Sequence, residues 1–373
     1  MATHKNIPDN LVSTSLRPGL EIMLRITDLA FGGNGVGRID GLACFVPGVI
    51  DGELVRVRIR KVKKRLVEAD LLEVTEPSPH RVVAPCSLFL SCGGCNYQHI
   101  DYTHQLRIKE NQIREALRRL GGVGDPPVRA MIPSPEHYAY RNRITVHVRD
   151  GVLGFFAAGS NRVVSVDQCL IASEDVNSGF KDLRDSHPRD DDYLIGEKKR
   201  YGGFRQVNNS LGEILKEVVA SALLPEDEAR ELLVDAYCGA GFFSHQLQSL
   251  FGRVIGIERS VASVAMARRQ AEPNEEYLDG SVEDMLHAAL SKGESKGTTL
   301  ILDPPSEGLT EKVVESIMER SPARVVYVSC NPATLSRDAK RLSQLYMIDH
   351  VTPLDMFPQT AEIESVSLFK LHS

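Results

Sequence analysis

The spacing of apolar positions changes along the chain, and each change predicts a different kind of element. Between residues 20 and 76, short alternating runs (LEIMLRIT, LACFVPG and ELVRVRIRKVKKRLVEADLLEV) are broken by glycine turns such as FGGNGVGR, which predicts a small β-barrel. Prolines around residues 77–85 mark a linker and a domain boundary near 80. From Leu106, apolar residues recur at helical spacing through Ile113, Ala116, Leu117 and Leu120, and Gly121-Gly122 supplies the stop. Residues 143–169 alternate again, with GFFAAG and RVVSVDQC joined by a Ser-Asn turn as a hairpin. The polar stretch 181–200, KDLRDSHPRDDDYLIGEKKR, reads as a surface loop. From residue 231, helical segments separate the buried strands LLVDA, RVIGIE, EEYLDG, TTLILD and RVVYVS. That order predicts a doubly wound parallel sheet, whose ligands bind beyond the carboxyl ends of the strands.

Composition narrows the class. At 373 residues the chain is long enough for two or three domains at roughly 150 residues each. With 42% hydrophobic residues and no apolar run of about 18, it has no membrane span. The first twenty residues show no apolar run after a basic start, so no secretory signal is expected and the expected location is cytoplasmic. Seven cysteines in such a chain favour metal or thiol chemistry over a disulfide scaffold.

The net charge of −6 is uneven: residues 1–169 carry 22 basic and 17 acidic side chains, residues 170–373 carry 22 and 33. Only the front half has the balance to meet a polyanion. Seven of the ten residues from Arg56 to Arg65 are Lys or Arg, and Arg56, Arg58 and Arg60 alternate with Val57 and Ile59 on the outward face of one strand. Two readings stay open, contact with phosphates or a charged edge that resists sheet-to-sheet association.

Four constellations carry chemistry. The strand LLVDA runs into Asp235-Ala236-Tyr237-Cys238-Gly239-Ala240-Gly241, and Glu258 ends the next strand. Glycines let backbone approach a ligand, and an acidic residue there can hold both ribose hydroxyls, so the pair suits a nucleoside cofactor. Cys238 reads as packing. Asp303-Pro304-Pro305 closes TTLILD, where prolines hold a carboxylate over the sheet edge. Cys330 ends RVVYVS ahead of Asn331-Pro332, where substrate belongs, and reads as a nucleophile that adds to an electron-poor double bond. Glu364, in QTAEIESVSLF, is its candidate general base.

The fourth constellation is Cys86, Cys92 and Cys95, with Cys169 far downstream. Four thiolates from two segments can hold a tetrahedral zinc or a cubane iron–sulfur cluster, and the uneven spacing favours iron–sulfur. Cys44 is left over as core.

Together these residues resemble the RNA uracil-5-methyltransferase family, whose members methylate uridines in 23S ribosomal RNA and in tRNA. The resemblance implies a Rossmann-like class I methyltransferase domain (99–125 and 201–373). It also implies an OB-like TRAM barrel that binds RNA (14–76) and a small β-rich iron–sulfur domain (81–98 and 126–200). Cys86, Cys92, Cys95 and Cys169, with the CGGC run, match the ligands of the family's [4Fe-4S] cluster. FRQVN resembles the segment that opens the catalytic domain, and Gln206, Tyr237, Glu258 and Asp303 fall on S-adenosylmethionine positions. SCNPATLSRD around Cys330 is similar to the nucleophile motif, and DMFPQTAEIE ending at Glu364 to the base motif.

The implied reaction is methyl transfer to C5 of a flipped-out uracil through a Cys330–C6 adduct. The implied substrate is structured RNA, 23S ribosomal RNA before tRNA, with no obligate protein partner and no membrane. Three positions depart from the pattern: Ser306 replaces an Arg after Asp-Pro-x, Glu362 a His before the base, and Phe242 an Asn after the second glycine. An RNA-binding protein with lost or altered catalysis is therefore the alternative from another class, and cytosine C5 a third reading.

Overall fold

The computed structural model describes residues 16–197, 206–223 and 230–372, which fall into two compact units dividing at Arg81–Val82. Residues 14 and 15, and Phe204 and Arg205 of FRQVN, lie outside the described residues.

In the first unit, β1 (Glu21–Arg25), β2 (Asp28–Leu29), β3 (Gly35–Ile39), β4 (Leu42–Val46), β5 (Leu54–Val62) and β6 (Leu66–Glu76) form one sheet in the order β1-β5-β6-β4-β3-β2. β2 continues β1 along the chain, and Thr27 N–H donates to Val36 O at 2.8 Å, so the sheet closes on itself as a small barrel. The alternation in β5 turns Val55, Val57 and Ile59 inward against Leu24, Cys44, Val46, Val67 and Ala69.

Arg56, Arg58 and Arg60 point outward, and carboxylates of the same sheet already occupy them. Arg56 pairs with Glu21 and Glu73, Arg58 with Glu21, and Arg60 with Glu68 and Asp70. A phosphate meeting this stripe competes with those carboxylates, and because the pairs are exposed each is weak enough to be displaced.

The second unit opens with α1 (Tyr102–Arg119), capped by Asp101, whose side chain accepts from His104 N–H at 3.1 Å. A small sheet follows, with β7 (Arg143–Arg149), β8 (Val152–Phe156), β9 (Val163–Ser165) and β10 (Asp192–Gly196) in the order β10-β7-β8-β9. α2 (Glu174–Asp185) covers it with Val176 and Phe180. The stretch 181–200 is thus not simply a loop, because it holds the end of α2 and all of β10. β10 is a strand because β7 supplies its partners, Ile195 lying opposite Ile144. Five residues with one buried side chain carry too little period to announce a strand alone.

The large sheet comprises β11 (Leu232–Ala236), β12 (Arg253–Glu258), β13 (Glu275–Asp279), β14 (Thr298–Leu302), β15 (Arg324–Ser329), β16 (Tyr346–Leu354) and β17 (Glu364–Leu371). Its order is β13-β12-β11-β14-β15-β17-β16, parallel from β13 to β15, with β17 inserted antiparallel between β15 and β16. Both faces are buried, which is why the strands are near-continuous apolar runs. Val234, Leu300 and Val325 face α1, α6 (Val282–Leu290), α7 (Glu311–Arg320) and α8 (Pro332–Leu342). Leu233, Ile301 and Val326 face α3 (Asn209–Ala222) and α4 (Ser244–Leu247), while α5 (Val261–Arg269) packs near β13. Among the described residues, no helix is long and apolar enough to cross a membrane.

One glycine tests the small sheet. A Cβ at Gly154 in β8 would lie 1.8 Å from the carbonyl oxygen of Val164 in β9, a backbone atom that cannot swing away. Gly154→Ala should therefore cost at least the roughly 1–3 kcal/mol typical of overpacking. A thermal melt of the full chain checks it, and an unchanged midpoint contradicts the packing described here.

Candidate active site

The carboxyl ends of β11 and β12 build the first half of the site. After Ala236 the backbone enters the left-handed region at Tyr237 (φ 67°), Gly239 (φ 56°) and Gly241 (φ 83°). The Tyr237 and Cys238 N–H groups donate to Ile257 O at 2.9 and 3.1 Å, fastening the turn to β12. A non-glycine residue in this conformation is strained, and such strain persists only where surrounding structure enforces it. A side chain at Gly241 would strike His245 at 2.5 Å and the Tyr277 hydroxyl at 2.8 Å.

Glu258 ends β12 and takes one backbone donor on each oxygen, Gly239 N–H at 3.1 Å and Ser260 N–H at 2.7 Å. Each oxygen keeps a lone pair for a hydroxyl, so the carboxylate is pre-aimed at a diol. Cys238 is buried among Val264, Ala267 and Tyr277 and serves as packing. Beneath the turn, Asp235 accepts from the N–H and hydroxyl of Ser244, and burial pushes its carboxyl up to about 7. Gln206 precedes α3, where a Cβ on Gly212 would lie 3.3 Å from Gln206 and 4.0 Å from Phe242, so both side chains lie close to bare backbone. Phe242 stacks edge-on against Phe243, with Lys216 Nζ 4.8 Å from its ring centre.

β14, β15 and β17 build the other half. Asp303 follows β14, its N–H donating to Ala236 O at 3.3 Å. Cys330 is exposed between the end of β15 and Asn331, which caps α8 by accepting from Ala333 N–H at 3.0 Å. Because β17 runs antiparallel to β15 with Ser365 opposite Ser329, Glu364 falls at the same edge as Cys330. Glu364 is 6% exposed, unlike an ordinary surface glutamate.

The acids reinforce one another. Burial, then the charges of Glu364 and Asp303, push the Cys330 thiol up to about 11. Burial and Asp235 push Asp303 up to about 7, and burial with Asp303 and Glu362 pushes Glu364 well above the carboxylate range. Without a nearby positive charge the thiol is protonated at neutral pH, and a cation at this edge would release the thiolate.

The departures from the family pattern lie around this edge. Ser306 is exposed, and its carbonyl accepts from Asn331 Nδ2 at 3.3 Å. A cation reaches the same loop from α8, where Arg337 donates to Glu307 O at 2.8 Å. Glu362 pairs with Arg141 at 3.6 Å, and Arg141 also lies 5.7 Å from the Phe357 ring. Sequence reasoning passed over Arg141, since nothing in the spacing shows that a residue 221 positions away would pair with it.

Cys86, Cys92, Cys95 and Cys169 come together around a single cavity of about 240 Å³, with Gln98, Arg141 and Phe155 among its other walls. Burial raises the Cys92 and Cys169 thiols and takes Cys95 to about 12, against hydrogen bonds from Gly94, Ile171 and Gln98 that pull the other way, while the neighbouring cysteines add to the rise. Among the described residues, no three His, Cys, Asp or Glu groups are gathered closely enough to hold a metal ion as they stand. The donor set itself, four thiols around one chamber, is that of a soft metal centre.

Residues 287–371 match the family profile described as tRNA (Uracil-5-)-methyltransferase, and residues 16–72 match that of the TRAM domain. An uncharacterized RNA methyltransferase of Gloeobacter violaceus is 31% identical, over 95% of this chain and 97% of that protein. One from Bdellovibrio bacteriovorus is 32% identical, over 95% and 96%. The crystal structure of Pyrococcus abyssi tRNA (uracil-54, C5)-methyltransferase, in complex with S-adenosyl-L-homocysteine, shares the fold with a TM-score of 0.68. It is 24% identical and covers 93% of this chain and 100% of its own.

The electrostatics give a titration. Alkylation of Cys330 by iodoacetamide in the free protein should rise with pH around a midpoint near 11, above that of a free cysteine. Glu364→Gln removes the leading negative neighbour and should move that midpoint down. A midpoint unmoved by the substitution contradicts the arrangement.

Proposed function

Because the chain belongs to the S-adenosylmethionine-dependent RNA methyltransferases that join a TRAM domain to a tRNA (uracil-5-)-methyltransferase domain, we propose that it methylates C5 of a uridine in structured RNA, with Cys330 as nucleophile and Glu364 as general base. One observation carries the reading: the pairing of β17 with β15 puts an accessible thiol and a buried carboxyl at one point of the sheet edge, beside Asp303.

Cys330 loses its proton and adds to C6 of a uracil taken out of its stack. The electron pair of the C5–C6 bond moves toward O4, making C5 a carbon nucleophile, and C5 takes the methyl group. Glu364 then removes the C5 proton, the C5–C6 double bond re-forms, and the Cys330 thiolate leaves. When bound, S-adenosylmethionine would supply an electrophilic methyl on a sulfonium, departing as the neutral thioether, and its positive charge would offset the acids around Cys330. Gln206, Tyr237, Glu258 and Asp303 would hold it, with Glu258 at the ribose hydroxyls. Burial and the neighbouring acids raise Glu364, which makes it a stronger base toward the C5 proton once it is ionised.

The four cysteines around one chamber fit a [4Fe-4S] cluster, and we assign it a structural role, since methyl transfer moves no net electrons. The substrate we favour is 23S ribosomal RNA, on the resemblance of the TRAM and four-cysteine combination. tRNA is the second reading, favoured by the family profile matched over 287–371. With either RNA as substrate, we propose a cytoplasmic location.

Nucleoside mass spectrometry of ribosomal RNA and tRNA incubated with the protein and labelled S-adenosylmethionine separates these substrates. Cys330→Ala should abolish both 5-methyluridine and the covalent complex with 5-fluorouridine RNA. Glu364→Gln should cut product at least about 10²-fold while a protein–RNA adduct accumulates. Methylation that survives Cys330→Ala overturns the reading.

A further inference from the structure

The segment 355–363 joins β16 to β17 and arches over the carboxyl edge just before Glu364. Asp355, Met356, Gln359, Thr360 and Ala361 in it are buried. α1 holds it from one side. Lys109 Nζ pairs with Asp355 Oδ1 at 2.5 Å, both side chains fully buried, and donates to Phe357 O at 3.0 Å. Gln105 and Gln359 bond reciprocally: Gln105 Nε2 donates to Gln359 Oε1 at 3.0 Å, and Gln359 N–H donates to Gln105 Oε1 at 3.1 Å.

The second hold comes from the residues directly after Cys95. Asn96 and Tyr97 N–H both donate to Gln359 O, at 3.1 and 3.0 Å, and Ala361 N–H donates to Asn96 Oδ1 at 3.3 Å. Tyr140 donates to Pro358 O at 3.1 Å, and Arg141, a wall of the cysteine chamber, lies against Phe357 and pairs with Glu362. Gln359 has a left-handed backbone (φ 68°), which a non-glycine residue keeps only while such bonds enforce it. Cys330 is set by other means, the end of β15 and the Asn331 cap of α8.

We propose that Asn96 is a positioning residue for C5 deprotonation, tying the four-cysteine chamber to the loop that seats Glu364, while the backbone that holds Cys330 is set elsewhere. This rests on the reading of Cys330 and Glu364 above. A residue of this kind acts on the proton-removal step, so its loss should separate adduct formation from adduct breakdown. The same coupling makes the loading of the chamber felt at residues 359–361.

The experiment uses the full-length protein with its metal centre as purified. In Asn96→Ala, trapping by 5-fluorouridine RNA should stay within about twofold of wild type. Turnover to 5-methyluridine should fall about tenfold, and adduct with unmodified RNA should build up. Amide exchange at 357–361 should quicken, and removal of iron by chelation from the wild-type protein should quicken exchange at the same amides. Asn96→Asp, which keeps the oxygen, should recover most of the lost turnover, and Asn96→Ser serves if Asn96→Ala does not fold. Wild-type turnover and exchange in the Asn96 variant, or a uniform loss of trapping and turnover, overturns the proposal. Absence of a trapped adduct in the wild type would instead overturn the reading beneath it.

Discussion

Ser365 lies opposite Ser329 across an antiparallel pair, and the meeting of Glu364 with Cys330 at one sheet edge depends on that register. A parallel sheet gathers its carboxyl ends on one edge, so the glycine turn, Glu258, Asp303 and Cys330 share an edge simply by ending their strands. Glu364 begins its strand, and it reaches that edge only because β17 runs the other way. A slip of one residue would turn Glu364 to the opposite face of the sheet and remove it from Cys330.

That edge is electrostatically unfavourable in the protein alone. Burial, then Glu364, Asp303 and Glu362, raise the Cys330 thiol, and burial with Asp303 and Glu362 raises Glu364 in turn. Such a cluster costs stability as folded and gains from a positive charge, so the same residues favour a cationic methyl donor and hold the thiol protonated without one. The TRAM barrel arranges its charges differently, with its outward arginines shared among carboxylates of their own sheet.

Away from the edge, the fully buried Lys109–Asp355 pair links a helix early in the chain to a loop near its end. Two buried charges are tolerated only when paired and further hydrogen-bonded, and Phe357 O supplies a further bond to Lys109. Together with Gln105, Asn96 and Tyr140, this pair makes the loop before Glu364 a joint product of α1 and the cysteine region.

Neighbouring side chains alone set the local elements and mark the residues with chemistry to offer. Period-two runs gave the barrel strands, apolar runs the parallel sheet, and strand ends the positions of Asp303 and Cys330, because each of these is written in neighbouring side chains. The sequence alone missed β10, whose short pattern becomes a strand only against β7, and it passed over Arg141, Lys109 and Asp355, whose partners lie far along the chain. Only the tertiary structure decided that Glu364 is buried beside Cys330, that four cysteines share a chamber, and that the outward arginines are already paired. The physical reason is range. Period and turn chemistry act over a few residues, whereas register, burial and charge pairing arise between segments that meet only when the chain has folded.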